Sequence, residues 1–314
     1  MKNIDVSVII LTYNSDFDKT IKTINSVLNQ KNCSFEILIA DDGSVCNNFE
    51  TIKKYLENVS YDDFKLLGDG TNRGTVTNLY NALSSANGKF IKPISPGDYL
   101  FSENTLSEMM NFQKRNVAQA CFGKAIFYSV KNGNYYYSPF RKHPYFLKPY
   151  IKQDKKEIRD NYLVVRDPIL GAALLYDKEC LQKSLEIFNG KVKYCEDSAL
   201  NLMAAEGKKI VYLPEQVIFY EANTGISAKK NDKWSKAIYE DNRVVFSYLL
   251  QNGLISNKEY YKSFPINKIQ KIALFLEFSF SKFLKRKMDR RHKIIVKLPN
   301  NLINGIKSII GDGL

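Results

Sequence analysis

With 314 residues, 44% of them hydrophobic, the chain can bury one α/β core of about 220 residues plus a smaller appendix. A net charge of +13 directs attention to anionic partners: nucleic acid, anionic lipid or phosphorylated substrates. The five cysteines (Cys33, Cys46, Cys121, Cys180, Cys195) are odd in number and contain no CxxC pair, which argues against a disulfide framework or zinc site and for a reducing compartment. The start, Met1 to Asp5, has one basic residue and too short an apolar run for a signal peptide, and no apolar run approaches the roughly 18 residues that span a bilayer. A cytoplasmic protein, or one at the inner face of a membrane, is expected.

Val6-Ser-Val-Ile-Ile-Leu-Thr12 and Phe35-Glu-Ile-Leu-Ile-Ala-Asp41 are β-branched apolar runs that end abruptly in polar residues, the pattern of buried parallel strands. Between them Ile21, Ile24, Val27 and Leu28 recur at helical spacing, so the unit is β-α-β. Asn48 to Asn58 predicts a helix, Phe64 to Leu67 a third strand, Val76 to Ala86 a helix, and Phe90 to Ile94 a strand that tolerates Pro93 poorly. Ser102 to Lys114 follows as a helix. A hairpin then joins Ala120–Val130 to Asn134–Tyr137 through Lys131-Asn-Gly133. Residues 138–162 fit no regular pattern and are expected to form a mobile active-site loop. Glu196-Asp197 opens a helix that Gly207 ends, and Ile210–Leu213 and Val217–Tyr220 read as strands. Beyond about residue 228 the pattern is helical throughout, which divides the chain into residues 1–228 and a basic helical add-on, residues 229–314.

Ligands of open α/β sheets bind beyond the carboxyl ends of the strands. Thr12-Tyr13-Asn14 and Asp41-Asp42-Gly43-Ser44 stand there. Gly68 to Gly74 is G-x-G-x-x-x-G, the wrong spacing for a dinucleotide fingerprint. Four motifs in order, T-Y-N, A-D-D-G-S, N-R-G with S-P-G-D, and E-D, make residues 4–228 resemble family 2 glycosyltransferases. The resemblance implies an α/β GT-A fold, a mostly parallel sheet flanked by helices, and inverting transfer of a hexose from a UDP-sugar to a glycan or glycoprotein hydroxyl in bacterial surface-glycan synthesis.

By that resemblance, Thr12, Tyr13, Asn14, Asp41, Asp42, Asn72, Arg73, Asn78, Ser95 and Gly97 line the nucleotide pocket. Asp42 receives the uracil N–H and Arg73 pairs with phosphate. Ser95-Pro96-Gly97-Asp98 falls where the family carries a D-x-D cluster, so Asp98 is the candidate ligand for Mn2+ or Mg2+. Only this last acid is present, and Tyr220-Glu221-Ala222-Asn223 stands where the family often has a histidine. Asp197 becomes the general base, with Glu196 beside it, and Gly171, Ala172 and Trp234 the acceptor region. Trp234 could equally anchor one domain to the other, Lys229-Lys230 could close over the diphosphate or be a solvated linker, and His143 and His292 are isolated.

From Lys282 to Lys297 eight basic residues face one acid, Asp289, between the apolar stretches Ile272–Phe280 and Leu302–Ile310. Attachment to anionic lipid or a partner protein, and a packed appendix with a solvated basic face, both suit this composition. The run lacks aromatic-basic interleaving, which disfavours nucleic acid. Two further readings remain: a catalytically inactive sugar-binding or scaffold protein, which the reduced acidic cluster favours, and a basic membrane-surface module, which the charge favours.

Overall fold

The computed structural model describes residues 3–222, 232–264, 272, 291 and 293–311. β1 (Val6–Thr12) and β2 (Phe35–Asp41) pair in parallel from Val6↔Phe35 to Thr12↔Asp41, with α1 (Phe17–Leu28) crossing between them. Asp16 caps α1 by accepting from the Lys19 N–H, and Ile21, Ile24 and Val27 face the core. α2 (Phe49–Asn58), β3 (Phe64–Leu67), α3 (Thr75–Ser85) and β4 (Phe90–Ile94) continue the alternation, giving the parallel order β3-β2-β1-β4. Pro93 is accommodated because the antiparallel neighbour on the far side of β4 reaches only Phe90 and Ile91, so that edge has no ladder bond to lose there.

That neighbour is β8 (Leu174–Asp177), and it joins the parallel half to a mixed one in which β6 and β9 pair in parallel and the other contacts are antiparallel. The second half holds β6 (Ala120–Lys131), β7 (Asn134–Tyr137) and β9 (Ile210–Glu221), with the short β5 (Tyr99–Leu100) against β9. The two strand-like runs at 210–213 and 217–220 are one strand, and its pairing with β6 shifts register around Lys124. α4 (Thr105–Asn116) covers this half.

A buried carboxylate ties the parallel strands together at the end away from the cleft. Glu36 on β2 accepts from Ser7 Oγ at 2.6 Å, from Asn87 Nδ2 at 2.9 Å and from the Asn87 backbone N–H, and Lys65 lies 3.4 Å away. Burial alone would raise this carboxyl, but the hydrogen bonds and the lysine outweigh it and hold it below the ordinary value. A depressed carboxyl contributes stability above its unfolded pKa and loses it as pH falls through the folded value. Glu36→Ala is therefore expected to cost about 2–3 kcal/mol at neutral pH. In urea titrations the gap to wild type should narrow below about pH 4; a gap independent of pH would refute the charge-based account.

From Lys148 on, the segment 138–162 is helical and packed rather than irregular. It runs through α5 (Lys148–Lys152) and α6 (Lys155–Arg159) into a wide helical turn at Asp160–Val165, burying Tyr150, Ile158, Tyr162, Leu163 and Val164. Such short segments carry too few turns for a helical period to show in sequence. Between β8 and the E-D motif the structure adds a helix the pattern did not predict, α7 (Lys178–Phe188), which Asp177 caps and whose buried face is Leu181, Leu185 and Phe188.

α8 (Ser198–Ala205) follows the E-D motif, and α9 (Asp232–Gln251) and α10 (Asn257–Ser263) pack beside it, sharing one apolar cluster with α3 and α7 through Val245, Phe246, Leu249 and Phe264. The boundary expected near 228, Asn223, Lys229-Lys230, His292, the basic run from Lys282 to Arg290 and the stretch 273–280 lie outside the described residues. The C-terminal segment is not purely helical, since β10 (Val296–Lys297) pairs with β7. α11 (Asn300–Ile310) buries Ile306, Ile309 and Ile310 against Tyr99 and Phe219, and Asn25 and Asn29 of α1 donate to its last carbonyls at 2.9 and 2.6 Å. The apolar face of Leu302–Ile310, one of the two stretches suggested for lipid or a partner, is thus spent on the chain's own sheet. Arg291, Lys293 and Lys297 are exposed. Among the described residues no helix is long and apolar enough to cross a membrane, and the five cysteines are free thiols.

Candidate active site

β1, β2 and β4 end side by side, and the polar residues that terminate them build one wall of a cleft. Asp41 is committed to the turn: it accepts from Thr12 Oγ1 at 3.0 Å, from the Ser44 N–H at 2.8 Å and from Ser44 Oγ at 2.5 Å. Asn14, with a left-handed φ of 46°, donates its N–H to Ser44 Oγ at 2.7 Å and accepts from the Val45 N–H at 3.0 Å. These bonds leave the Tyr13 ring, 52% exposed, as a flat apolar surface at the cleft mouth.

Asp42 is buried and receives the backbone N–H groups of Arg73 at 2.8 Å and Gly74 at 2.9 Å. Burial raises its carboxyl, while the two amides and the nearby Lys193 charge pull it back. Gly74 must be glycine: its φ is +90°, and a Cβ would lie 2.4 Å from the Lys193 carbonyl oxygen. The Val76 N–H also donates to that carbonyl, at 3.3 Å. The N-terminus of α3 therefore joins the Asp42 wall to the segment leading to Glu196-Asp197.

Other nucleotide-pocket candidates are engaged elsewhere. The Arg73 guanidinium bonds the exposed Asp69 at 2.8 Å, so it must turn to reach a phosphate. Asn78 Nδ2 donates to the Ala40 carbonyl at 2.8 Å, holding the end of β2, and Asn72 is exposed.

Of the S-P-G-D residues, Ser95 is exposed whereas Gly97 and Asp98 are buried. Gly97 has φ +96°, and a Cβ there would lie 2.5 Å from Glu221 Oε2. Tyr128 Oη donates to its carbonyl at 2.6 Å, and its N–H donates to Thr23 Oγ1 at 3.1 Å. Asp98 Oδ1 accepts from the Glu221 N–H at 3.0 Å, and the Glu221 carboxylate holds the Lys19 ammonium at 2.6 and 2.7 Å. Beneath them Lys92, wholly buried, donates to the carbonyls of Ala172 at 2.5 Å and Pro93 at 3.0 Å. Burial drives Asp98 up and Lys92 down, toward their neutral forms, and each one's charge opposes the other's shift.

A hard divalent cation needs several oxygen ligands converging on open space. Here Asp98 is buried and bonded to a backbone amide, position 97 has no room for a side chain, and Glu221 already holds a lysine. Among the described residues no group of three His, Cys, Asp or Glu side chains could hold a metal ion. These residues do not fit the divalent site that the family resemblance implies.

Glu196 and Asp197 follow on the segment whose Lys193 carbonyl is tied to the start of α3. Glu196 Oε1 lies 3.9 Å from the point a Gly171 Cβ would occupy, so Glu196 meets the 3-10 turn Gly171–Ala173 that Lys92 anchors. Burial raises both carboxyls; Asp197's charge adds to the rise at Glu196, whereas the Arg166 charge pulls Asp197 back down. Arg166 is fixed by Asn242 Oδ1 at 2.6 Å and by the Phe246 ring 4.6 Å beneath it, both from α9. Trp234, also on α9, meets Tyr194 edge-on with ring centres 5.1 Å apart, and Asp241 accepts from the Lys193 and Tyr194 N–H groups at 3.1 and 2.7 Å. Lys19, Lys193 and Arg166 carry no sequence signal, because tertiary packing alone brings them here. A lysine inside a buried strand, at 92, is a legible one.

The family model described as glycosyl transferase family 2 matches residues 7–171, from β1 to the Gly171 turn. An uncharacterized glycosyltransferase MG060 homolog from Mycoplasma pneumoniae is 32% identical over 112 residues, 35% of this chain, and the match spans only 37% of that relative's length. Among solved structures, S. aureus TarS 1-349 in complex with UDP-GlcNAc has a TM-score of 0.54 at 20% identity, covering 98% of this chain and 80% of that one. Mannosyltransferase PcManGT from Pyrobaculum calidifontis, in complex with GDP-Man and Mn2+, has a TM-score of 0.56 at 14% identity, covering 88% and 71%. At such identities these two likenesses speak for the α/β GT-A fold. The family match extends over more than half of the molecule, and the chain belongs to glycosyl transferase family 2.

Proposed function

We propose that the chain is an inverting glycosyltransferase that moves a hexose from a UDP-sugar to a hydroxyl of a glycan or glycoprotein acceptor, in bacterial surface-glycan synthesis. The observation that carries this reading is the placement of Glu196, with Asp197 next to it in the chain, beside the Gly171 turn, on a segment linked through Lys193 and Gly74 to Asp42. Support for a UDP-linked donor comes from the likeness to TarS, a structure in complex with UDP-GlcNAc.

Uracil stacks on Tyr13 and donates its N–H to Asp42. The acceptor hydroxyl enters over Gly171. Asp197, whose rise on burial the Arg166 charge opposes, takes the hydroxyl proton in its ionised form as the oxygen attacks the anomeric carbon. The bond from that carbon to the diphosphate oxygen breaks, its electron pair leaves with UDP, and the configuration inverts. Glu196, which meets the Gly171 turn, is placed to hydrogen-bond the acceptor.

The test is UDP release from a panel of UDP-sugars, since slow donor hydrolysis needs no acceptor. Release from one sugar is the expected result. Binding of UDP without release, persisting when candidate acceptors are added, would favour an inactive sugar-binding protein. No UDP binding by calorimetry would refute the reading.

A further inference from the structure

Three ionisable groups, Asp98, Glu221 and Lys19, meet at the carboxyl end of β4, where the acidic cluster is reduced to Asp98. Asp98 sits under the backbone of Glu221, the Glu221 carboxylate presses on Gly97, and Lys19 closes over that carboxylate from the first turn of α1. The Glu221 side chain is 9% exposed but the Lys19 side chain is 38% exposed, so the lysine is the member of the pair that an incoming ligand can reach. Glu221 takes two of the ammonium's three N–H donors, at 2.6 and 2.7 Å, and the third remains for an incoming oxygen.

Departure of a nucleoside diphosphate builds negative charge that must be met by a preorganised positive group, and a lysine can serve as well as a metal ion. We infer that this chain binds its donor diphosphate without a divalent cation, the Lys19 ammonium held by Glu221 standing at the S-P-G-D loop where a cation would be required. The inference rests on the nucleotide-sugar reading above. Gly97 follows from it: a side chain at that position would displace the carboxylate that aims Lys19. Lys19 is here a diphosphate-binding residue, and Glu221 and Asp98 position it.

The experiment is calorimetric titration of the full chain with UDP and with uridine, in EDTA and in excess Mn2+. UDP affinity is expected to agree within about twofold between the two conditions, whereas a tightening by Mn2+ of about tenfold or more overturns the inference. In Lys19→Met, UDP is expected to weaken about tenfold while uridine, which has no phosphate, stays within about twofold of wild type. Unchanged UDP binding in that variant, or equal loss of both ligands, would refute the role of Lys19, the latter because it signals a disturbed fold. If wild type binds UDP in neither condition, the inference falls together with the nucleotide-sugar reading. Mn2+-dependent binding removes the inference alone.

Discussion

Asp197→Asn is expected to abolish transfer, with kcat falling by roughly 10²–10⁴-fold, while UDP affinity is unchanged. The asparagine keeps the shape of the side chain but cannot accept the acceptor's proton. Asp197 stands at the N-cap position of α8 and makes no side-chain capping bond there, so the exchange removes no cap from the helix. Burial places both members of the acid pair above the ordinary carboxyl range, and wild-type activity should therefore rise with pH as the base ionises. Removing the Arg166 charge should move that rise to higher pH. Undiminished transfer by Asp197→Asn would eliminate Asp197 as the base.

Asp42→Ala is expected to weaken UDP by about tenfold or more, because it removes the acceptor proposed for the uracil N–H. It should also destabilise the fold, since the Arg73 and Gly74 amides lose their partner at a cost of about 1–3 kcal/mol. Asp42→Asn separates the two effects. Its remaining carbonyl oxygen can still accept an N–H, so part of the stability should return. Calorimetry with UDP alongside thermal melts reads both quantities, and unchanged UDP affinity in Asp42→Ala would refute the base contact.

Much of the parallel half is legible in the sequence. β1, β2 and β4 announce themselves as apolar runs that stop at polar residues, because a strand buried on both faces admits no alternation. Local chemistry also marks the hairpin at Lys131-Asn-Gly133 and the acids before α8. The segment 138–162 is not legible in the same way, because its three short helical pieces bury tyrosines at no common period.

The sequence by itself determined the order of motifs, the parallel sheet they terminate and the family they identify, since each is carried by residues adjacent in the chain. Only the tertiary structure decided what those residues touch. It turned Arg73 toward Asp69, committed Asn78 to the end of β2, and buried Asp98 beneath Glu221. It also brought Lys19 to Glu221 across 202 positions. Strand pairing is written in local hydrophobicity, whereas the environment of a charge depends on whichever distant elements pack around it.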